Sequence, residues 1–290
     1  MSRILITGKT GQVGYELERS LQGLGEVIAL DRSQMDLADL NQVRNVIRRV
    51  KPTLIVNPAA YTAVDKAESE PELAMRINGE APGIMAEEAR KVGAAMIHYS
   101  TDYVFDGSKN GPYVETDPTC PVNVYGSSKL AGEQAIQATG IPHLILRTSW
   151  VYSTHGKNFL LTMLRLAQER DELSIVSDQF GAPTWSRTIA DTTAHIVAQS
   201  VAAANRQVWW EKHSGLYHLT AQGQTSWFGF TEAIMAHASV AKRPRLKPIP
   251  AQAYPVPARR PANSMLSSER LKKTFCGLPH WQDALKLCQD

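Results

Sequence analysis

The sequence predicts an α/β protein in which a doubly wound parallel sheet is joined to a smaller, mixed C-terminal lobe. Three observations carry this reading. Short apolar runs alternate with longer helix-like segments through the first half, a glycine-rich turn directly follows the first run, and the regularity fades in the second half. Strands separated by helical segments of about 10–15 residues form βαβ units, and βαβ units build parallel sheets.

The expected elements begin with a strand at Ile4 to Thr7, a helix over Val13 to Leu24, a strand at Val27 to Leu30 and a helix over Leu40 to Val50. A strand at Leu54 to Val56, a helix entered near Pro71 and closed by Gly93, and a strand at Ala95 to Ser100 complete the first half. Ile4-Leu5-Ile6 and Leu54-Ile55-Val56 are apolar throughout, as strands covered on both faces require. From Thr101 to Cys120 the chain is rich in Gly, Asp, Asn and Pro without periodicity. Loops of that length inside a compact domain are usually functional or mobile. Beyond it come a helix around Tyr125 to Gln137, a strand at Leu144 to Leu146 and a helix at Phe159 to Arg170. A helix over Ser186 to Ala202, a strand at Leu216 to Leu219 and a helix from Ser226 to about Ala241 follow. Pro244 to Pro261 holds six of the 16 prolines and reads as extended loop. Residues 1–150 with parts of 185–220 are therefore expected to form the sheet domain, and about 151–184 with 221–290 the smaller lobe.

With 290 residues, 43% hydrophobic and 20% charged, the chain can bury a substantial core without disulfides. A net charge of +3 with no basic block argues against a nucleic-acid partner. Cys120, Cys276 and Cys288 are widely spaced and carry no metal-binding pattern, so they read as free thiols and no metal site is expected. The opening MSRILITG is too short for a signal-peptide core, and no apolar run approaches the ~18 residues of a membrane span. The expected compartment is the cytoplasm.

Gly8-Lys9-Thr10-Gly11-Gln12-Val13-Gly14 is a GxxGxxG turn between a strand and a helix. Gly8 permits the tight turn, Gly11 lets backbone N–H groups approach a pyrophosphate, and Gly14 allows close helix–strand packing. The pyrophosphate would sit at the positive end of the helix, reached through Gln12 and Val13. Asp31 ends the second strand where a ribose hydroxyl is expected, which favours NADH, whereas Arg32 could pair with the 2′-phosphate of NADPH. The two residues leave cofactor preference open. Asp36-Leu37 and the loop Ala60-Tyr61-Thr62 should line the adenine and pyrophosphate path by position.

Tyr125-Gly126-Ser127-Ser128-Lys129 places a phenol and an ammonium four residues apart on one helix face. A nearby cation favours ionised tyrosine, so such a pair can donate a proton to a carbonyl oxygen while hydride arrives from a nicotinamide. Thr101, at the C-terminal end of the preceding strand, can offer its hydroxyl to the same oxygen.

TGxxGxxG, a Ser/Thr after the fourth strand and YxxxK together resemble the extended short-chain dehydrogenase/reductase superfamily, and imply its Rossmann-type fold. More narrowly, Gly8 to Gly14, Ala63-Val64-Asp65-Lys66-Ala67-Glu68, Ser100 to Gly107, Asn123-Val124-Tyr125-Gly126, Arg147 to Tyr152 and Ala258-Arg259-Arg260-Pro261 look like the dTDP-4-dehydrorhamnose reductase family. The similarity runs through essentially the whole chain. It implies NAD(P)H-dependent reduction of the 4-keto group of dTDP-4-dehydro-L-rhamnose to dTDP-L-rhamnose, a cell-surface polysaccharide precursor. In that pattern Tyr125 donates the proton, Lys129 holds the nicotinamide ribose and lowers the tyrosine pKa, and Thr101 orients the substrate. Asp102, Tyr103 and Trp150 fall near the sugar. Arg259 and Arg260 suit the substrate diphosphate.

Two alternatives stay open at this point. A nucleotide-sugar epimerase, dehydratase or other 4-ketoreductase shares the motifs, although Thr101-Asp102-Tyr103 lacks the Asp-Glu pair of dehydratases. A non-catalytic regulatory subunit can use the same fold. Some bacterial relatives dimerise through magnesium held by glutamates. Glu16 matches one such position, but Arg187 stands near another and would repel the ion, and the chain stops at Asp290 where a further acid is expected. A homodimer is compatible with the sequence; the magnesium-linked one is not expected.

Overall fold

A computed structural model describes residues 2–238 and 243–289. Its first half is a series of strand–helix units: β1 (Arg3–Ile6), α1 (Gln12–Ser20), β2 (Glu26–Ala29), α2 (Leu40–Val50) and β3 (Leu54–Asn57). Two short helices, α3 (Val64–Ala67) and α4 (Pro71–Met75), lead through a π-helical turn at Arg76–Glu80 into α5 (Ala81–Val92). Next come β4 (Ala95–Thr101), α6 (Val124–Thr139) and β5 (His143–Thr148). The second half contains β6 (Val151–Tyr152), α7 (Phe159–Glu169), β7 (Glu172–Val176), β8 (Phe180–Gly181), β9 (Thr184–Trp185), α8 (Ser186–Ala202) and α9 (Arg206–His213). It closes with β10 (Gly215–His218), β11 (Thr225–Ser226), α10 (Trp227–His237), β12 (Arg245–Ile249), α11 (Glu269–Thr274) and α12 (Trp281–Gln289).

The central sheet has six strands in the order β10-β5-β4-β3-β1-β2, and every neighbouring pair is parallel. Alternate side chains of one strand feed two cores: Ile4 and Ile6 pack with Leu17 of α1 and Ile189 of α8, while Leu5 packs with Val43 of α2 and Met85 of α5. That double burial explains the unbroken apolar triplets in the sequence. The direction of strand addition reverses between β1 and β3, so the loops leaving their C-terminal ends diverge and open a crevice there. The α/β fold expected from the sequence is the one observed.

A third core joins Leu160 and Met163 of α7, Leu173 and Ile175 of β7, Phe230 and Ile234 of α10, and Trp281 and Leu285 of α12. Here the sequence reading needs correction. The stretch Pro244 to Pro261 is not all loop, because Arg245–Ile249 pairs in parallel with Glu172–Val176. Pro248 is tolerated in this two-stranded ribbon, where a missing N–H need not face a ladder partner. The first helix ends at Ser20 rather than Leu24, ahead of Gly23 and Gly25. Helix α10 begins at Trp227, where Ser226 accepts the Gly229 N–H at 3.0 Å, and the expected end near Ala241 lies outside the described residues. No described helix is long and apolar enough to cross a membrane.

Helix α6 is bound to the sheet by a buried ion pair in which Arg147 of β5 donates two hydrogen bonds to Glu133, at 2.8 and 2.7 Å. Removing one partner strands a buried charge, whereas removing both does not. Arg147→Met should lower the unfolding free energy in urea by about 3–5 kcal/mol, and the double variant Glu133→Leu/Arg147→Met should recover most of that loss.

Candidate active site

The glycine-rich turn is built by steric exclusion. Gly8 has φ +58° and lies so near Ala59 that a Cβ would approach that residue's methyl to 2.9 Å. A Cβ on Gly14 would stand 2.2 Å from the Gly8 carbonyl oxygen. Gly11 caps α1 with no side-chain hydrogen bond to the first helical N–H groups, which leaves those donors facing the crevice. The Gln12 side-chain oxygen is buried without a hydrogen-bond partner among the described residues. Uncapped donors, a cradle that any Cβ would fill and an unmatched polar atom fit a dinucleotide pyrophosphate.

At the end of β2, Asp31 accepts hydrogen bonds from the Ser33 hydroxyl and backbone N–H at 2.6 and 2.9 Å, and the former chiefly holds its carboxyl below the usual range. Lys9 stands 3.8 Å from the same carboxylate. Arg32 is 77% exposed and pairs with Asp36 at 3.2 Å, so a cation and an acid share this rim. Leu37, expected along the adenine path, is buried in the core beside Val43. Of the loop after β3, Ala60 and Thr62 are partly exposed or exposed. The backbone of Tyr61 is clamped by Asn78, which accepts its N–H at 2.8 Å and donates to its carbonyl at 3.0 Å. The Tyr61 hydroxyl donates to Glu70 at 2.7 Å, and burial pushes that phenol up to about 12.

Helix α6 carries Tyr125 and Lys129. Asn123 caps it by accepting the Gly126 N–H at 2.7 Å, and the same amide donates to the Arg259 carbonyl at 2.8 Å. Gly126 lets the helix start press against Tyr103, since a Cβ there would meet the Tyr103 carbonyl oxygen at 2.1 Å. Tyr125 consequently lies edge-on to the Tyr103 ring, with centroids 5.5 Å apart. The Thr101 hydroxyl lies beside the Tyr125 phenol and acts against the effect of burial on it. Thr101 also donates to Asp102 at 3.0 Å and accepts the Tyr103 N–H at 3.2 Å. Burial is the main cause that pushes the Asp102 carboxyl up to about 6, against the nearby Ser264 hydroxyl and the hydrogen bond from Thr101.

One expectation is overturned. Lys129 does not depress Tyr125: burial, then the nearby Asp102 charge, raise the phenol above its ordinary value. The ammonium is only 2% exposed and is turned the other way, donating to the Tyr99 carbonyl at 2.6 Å and lying 3.2 Å from His98 Nε2. Burial lowers Lys129 to about 8, with Glu133 opposing. The phenol is thus held in its protonated form, the form that can give a proton away.

On the other side of the site, Arg260 donates to Asp65 at 2.8 Å and stands beside the Tyr103 phenol, which burial pushes up to about 12. Arg260 is thus partly buried and paired with Asp65, and Arg259 is the exposed cation of the pair. Both line a cleft of ≈ 1060 Å³ with Asp65, Phe159, Gln179 and Trp227. Trp150, with φ +48°, lies flat on Trp227 at 3.6 Å and is backed by Gly181, where a Cβ would come within 2.6 Å of the indole. Trp150 supports the aromatic wall, and Trp227 is the member of the stack that lines it. Among the described residues no group of three His, Cys, Asp or Glu side chains is placed to hold a metal, and Arg187 lies 3.9 Å from Asp191.

Sequence reasoning missed Asn57, Asn78, His98, Ser264, Phe159 and Trp227. A signal for two of them was present: Asn57 follows the apolar triplet of β3, and His98 interrupts an otherwise apolar stretch of β4. Polar groups buried in such strands must be hydrogen-bonded.

Asp102 gives a pH test. Its folded pKa of about 6 lies above the ordinary carboxylate range, so ionising it costs stability as pH rises from about 4 through 6. Asp102→Asn should therefore match the parent near pH 4 and exceed it by about 3 kcal/mol above pH 7, measured by urea denaturation at both pH values.

The chain is similar to known proteins along its whole length. The sequence pattern of the RmlD substrate binding domain matches residues 1–290. A dTDP-4-dehydrorhamnose reductase of Burkholderia thailandensis is 54% identical, covering 99% of this chain and 97% of the relative, and that of Escherichia coli K12 is 49% identical over 98% and 95%. A crystal structure of dTDP-4-dehydrorhamnose reductase from Bacillus anthracis in complex with NADP superimposes with a TM-score of 0.91 at 33% identity, covering 99% of both chains. Matched over its whole length and 54% identical to such an enzyme, the chain belongs to the dTDP-4-dehydrorhamnose reductase family.

Proposed function

We propose that this chain reduces the 4-keto group of dTDP-4-dehydro-L-rhamnose to dTDP-L-rhamnose with NADPH. The observation that carries the reading is the Tyr125 phenol, seated on α6 beside Thr101 and Tyr103, on a helix whose Asn123 cap is tied to Arg259 of the arginine-lined cleft. The reduced dinucleotide, when bound, supplies the hydride. Gly8, Gly11, Gln12, Val13 and Gly14 hold its pyrophosphate, and Asp31, with Lys9 and Arg32 beside it, receives the adenosine ribose. Lys129 faces the nicotinamide ribose with the N–H left over from its contacts to Tyr99 and His98.

The chemistry asked of the protein is placement and one proton. As hydride reaches C4, negative charge develops on the carbonyl oxygen, and Tyr125 gives that oxygen its proton. Thr101, beside the phenol, orients the substrate oxygen, while Asp102 anchors Thr101. Arg259 attracts the substrate diphosphate, and Arg260 holds Asp65 beside Tyr103 so that the wall opposite Tyr125 stays in place. Trp227, backed by Trp150, and Phe159 offer apolar faces to the rest of the nucleotide. In this reading residues 1–150 with parts of 185–220 bind the dinucleotide, and about 151–184 with 221–290 bind the sugar nucleotide.

Tyr125→Phe should lower kcat about 10²- to 10⁴-fold while leaving NADPH binding, followed by fluorescence titration, close to that of the parent. Stoichiometric NADPH oxidation with dTDP-4-dehydro-L-rhamnose, and a product reduced at C4 in the L-rhamno configuration, are the expected results. An active Phe variant, or a parent that consumes no NADPH, overturns the reading.

A further inference from the structure

Behind Lys129 lies a row of buried polar groups that crosses three strands of the sheet. His98 of β4 stands in register with Asn57 of β3. Lys129 Nζ lies 3.2 Å from His98 Nε2, and Asn57 Nδ2 lies 3.0 Å from His98 Nδ1. The Thr7 hydroxyl donates to Asn57 Oδ1 at 2.6 Å and accepts the Ala59 N–H at 3.3 Å. Thr7, Asn57, His98 and Lys129 are each no more than 2% exposed. Neighbouring positions on these strands are filled by Ile6, Val56 and Ile97. Burying polar groups in such surroundings is costly unless each is matched, so the row is a specific arrangement rather than a default filling of space.

We propose that His98 is a positioning residue for the reaction: its imidazole, braced from behind by Asn57 and Thr7, fixes the Lys129 side-chain nitrogen so that one remaining N–H points into the site. The proposal rests on the reading of Lys129 given above. Proton counting supports it. Burial, with the adjacent lysine, drives His98 well below its ordinary value, so the imidazole is neutral and carries one proton. With Asn57 Nδ2 toward Nδ1, that proton sits on Nε2 and meets the lone pair of a neutral lysine. Turning the amide over puts the proton on Nδ1 and lets Nε2 accept from the ammonium, at the loss of the Thr7 donation to Asn57. The arrangement present thus matches a neutral Lys129, which burial brings to about 8, and a turn of one amide matches the charged one without moving the nitrogen. The row ends on a backbone N–H of the same loop that packs against Gly8, with every side chain in it buried. It offers no path to solvent, so its role is placement, not proton relay.

Two substitutions separate the roles of the two imidazole nitrogens. His98→Gln puts an amide oxygen near the place of Nε2 and can still meet Lys129; His98→Asn puts one near Nδ1, which meets Asn57 and leaves Lys129 unheld. With dTDP-4-dehydro-L-rhamnose and NADPH, His98→Asn should lower kcat/KM about 10- to 100-fold and raise the KM for NADPH, the scale expected of a misplaced catalytic group. His98→Gln should recover most of that loss. Asn57→Ala, which removes the brace without touching Lys129, should move the same parameters in the same direction. Thermal melting and circular dichroism establish that each variant is folded, and Asn57→Ala serves if His98→Asn is not. Equal kinetics for folded Gln and Asn variants, or an unchanged Asn57→Ala, overturn the proposal. A fully active Lys129→Met overturns the reading of Lys129 itself and the proposal with it, whereas an inactive Lys129→Met beside active His98 and Asn57 variants overturns the proposal alone.

Discussion

Helix α6 lies against its neighbours at a depth that only glycine allows. At Gly126 the Tyr103 carbonyl, and at Gly132 the Asn78 carbonyl, occupy the space of a Cβ, each at 2.1 Å from where it would stand. A larger side chain at either place would lift the helix and carry Tyr125 and Lys129 with it. The Glu133–Arg147 pair then ties the seated helix to β5, and the Asn78 amide reaches Ser128 at 3.0 Å. The catalytic geometry is therefore a by-product of backbone-to-backbone contact, which is stiffer than any contact between side-chain tips.

The parts of this arrangement that sequence disclosed are those encoded locally. The GxxGxxG turn, the four-residue spacing of Tyr125 and Lys129, and the apolar triplets of β1 and β3 depend only on neighbours in the chain, and each is where the pattern put it. What could not be read depends on register between strands or on the return of the chain. His98 meets Lys129 because β3, β4 and α6 meet, and Ser264 reaches Asp102 from more than 150 residues away. The ribbon of β7 and β12 was hidden for a different reason: its prolines speak against strand locally, and pairing at an edge outweighs them. The expected effect of Lys129 on Tyr125 failed because spacing on a helix fixes which face two residues share, not where a flexible ammonium finds its acceptors.

Electrostatically the site is built to stay quiet until it is filled. Its phenols and the Asp102 carboxyl are raised and Lys129 is lowered, all chiefly by burial. Ionisable groups in a buried site respond strongly to a charge that develops beside them.

The tie between Asp65 and Arg260 spans 195 residues, and the Asn123 amide clasps the Arg259 carbonyl across 136. During synthesis, the nucleotide cradle and the Tyr125 helix leave the ribosome well before the segment that walls the opposite side. A nascent chain can thus acquire its cofactor-binding half while the sugar site has no roof and the sheet still waits for β10 at its edge. The sugar site therefore waits on the late-emerging segment that carries Arg259 and Arg260.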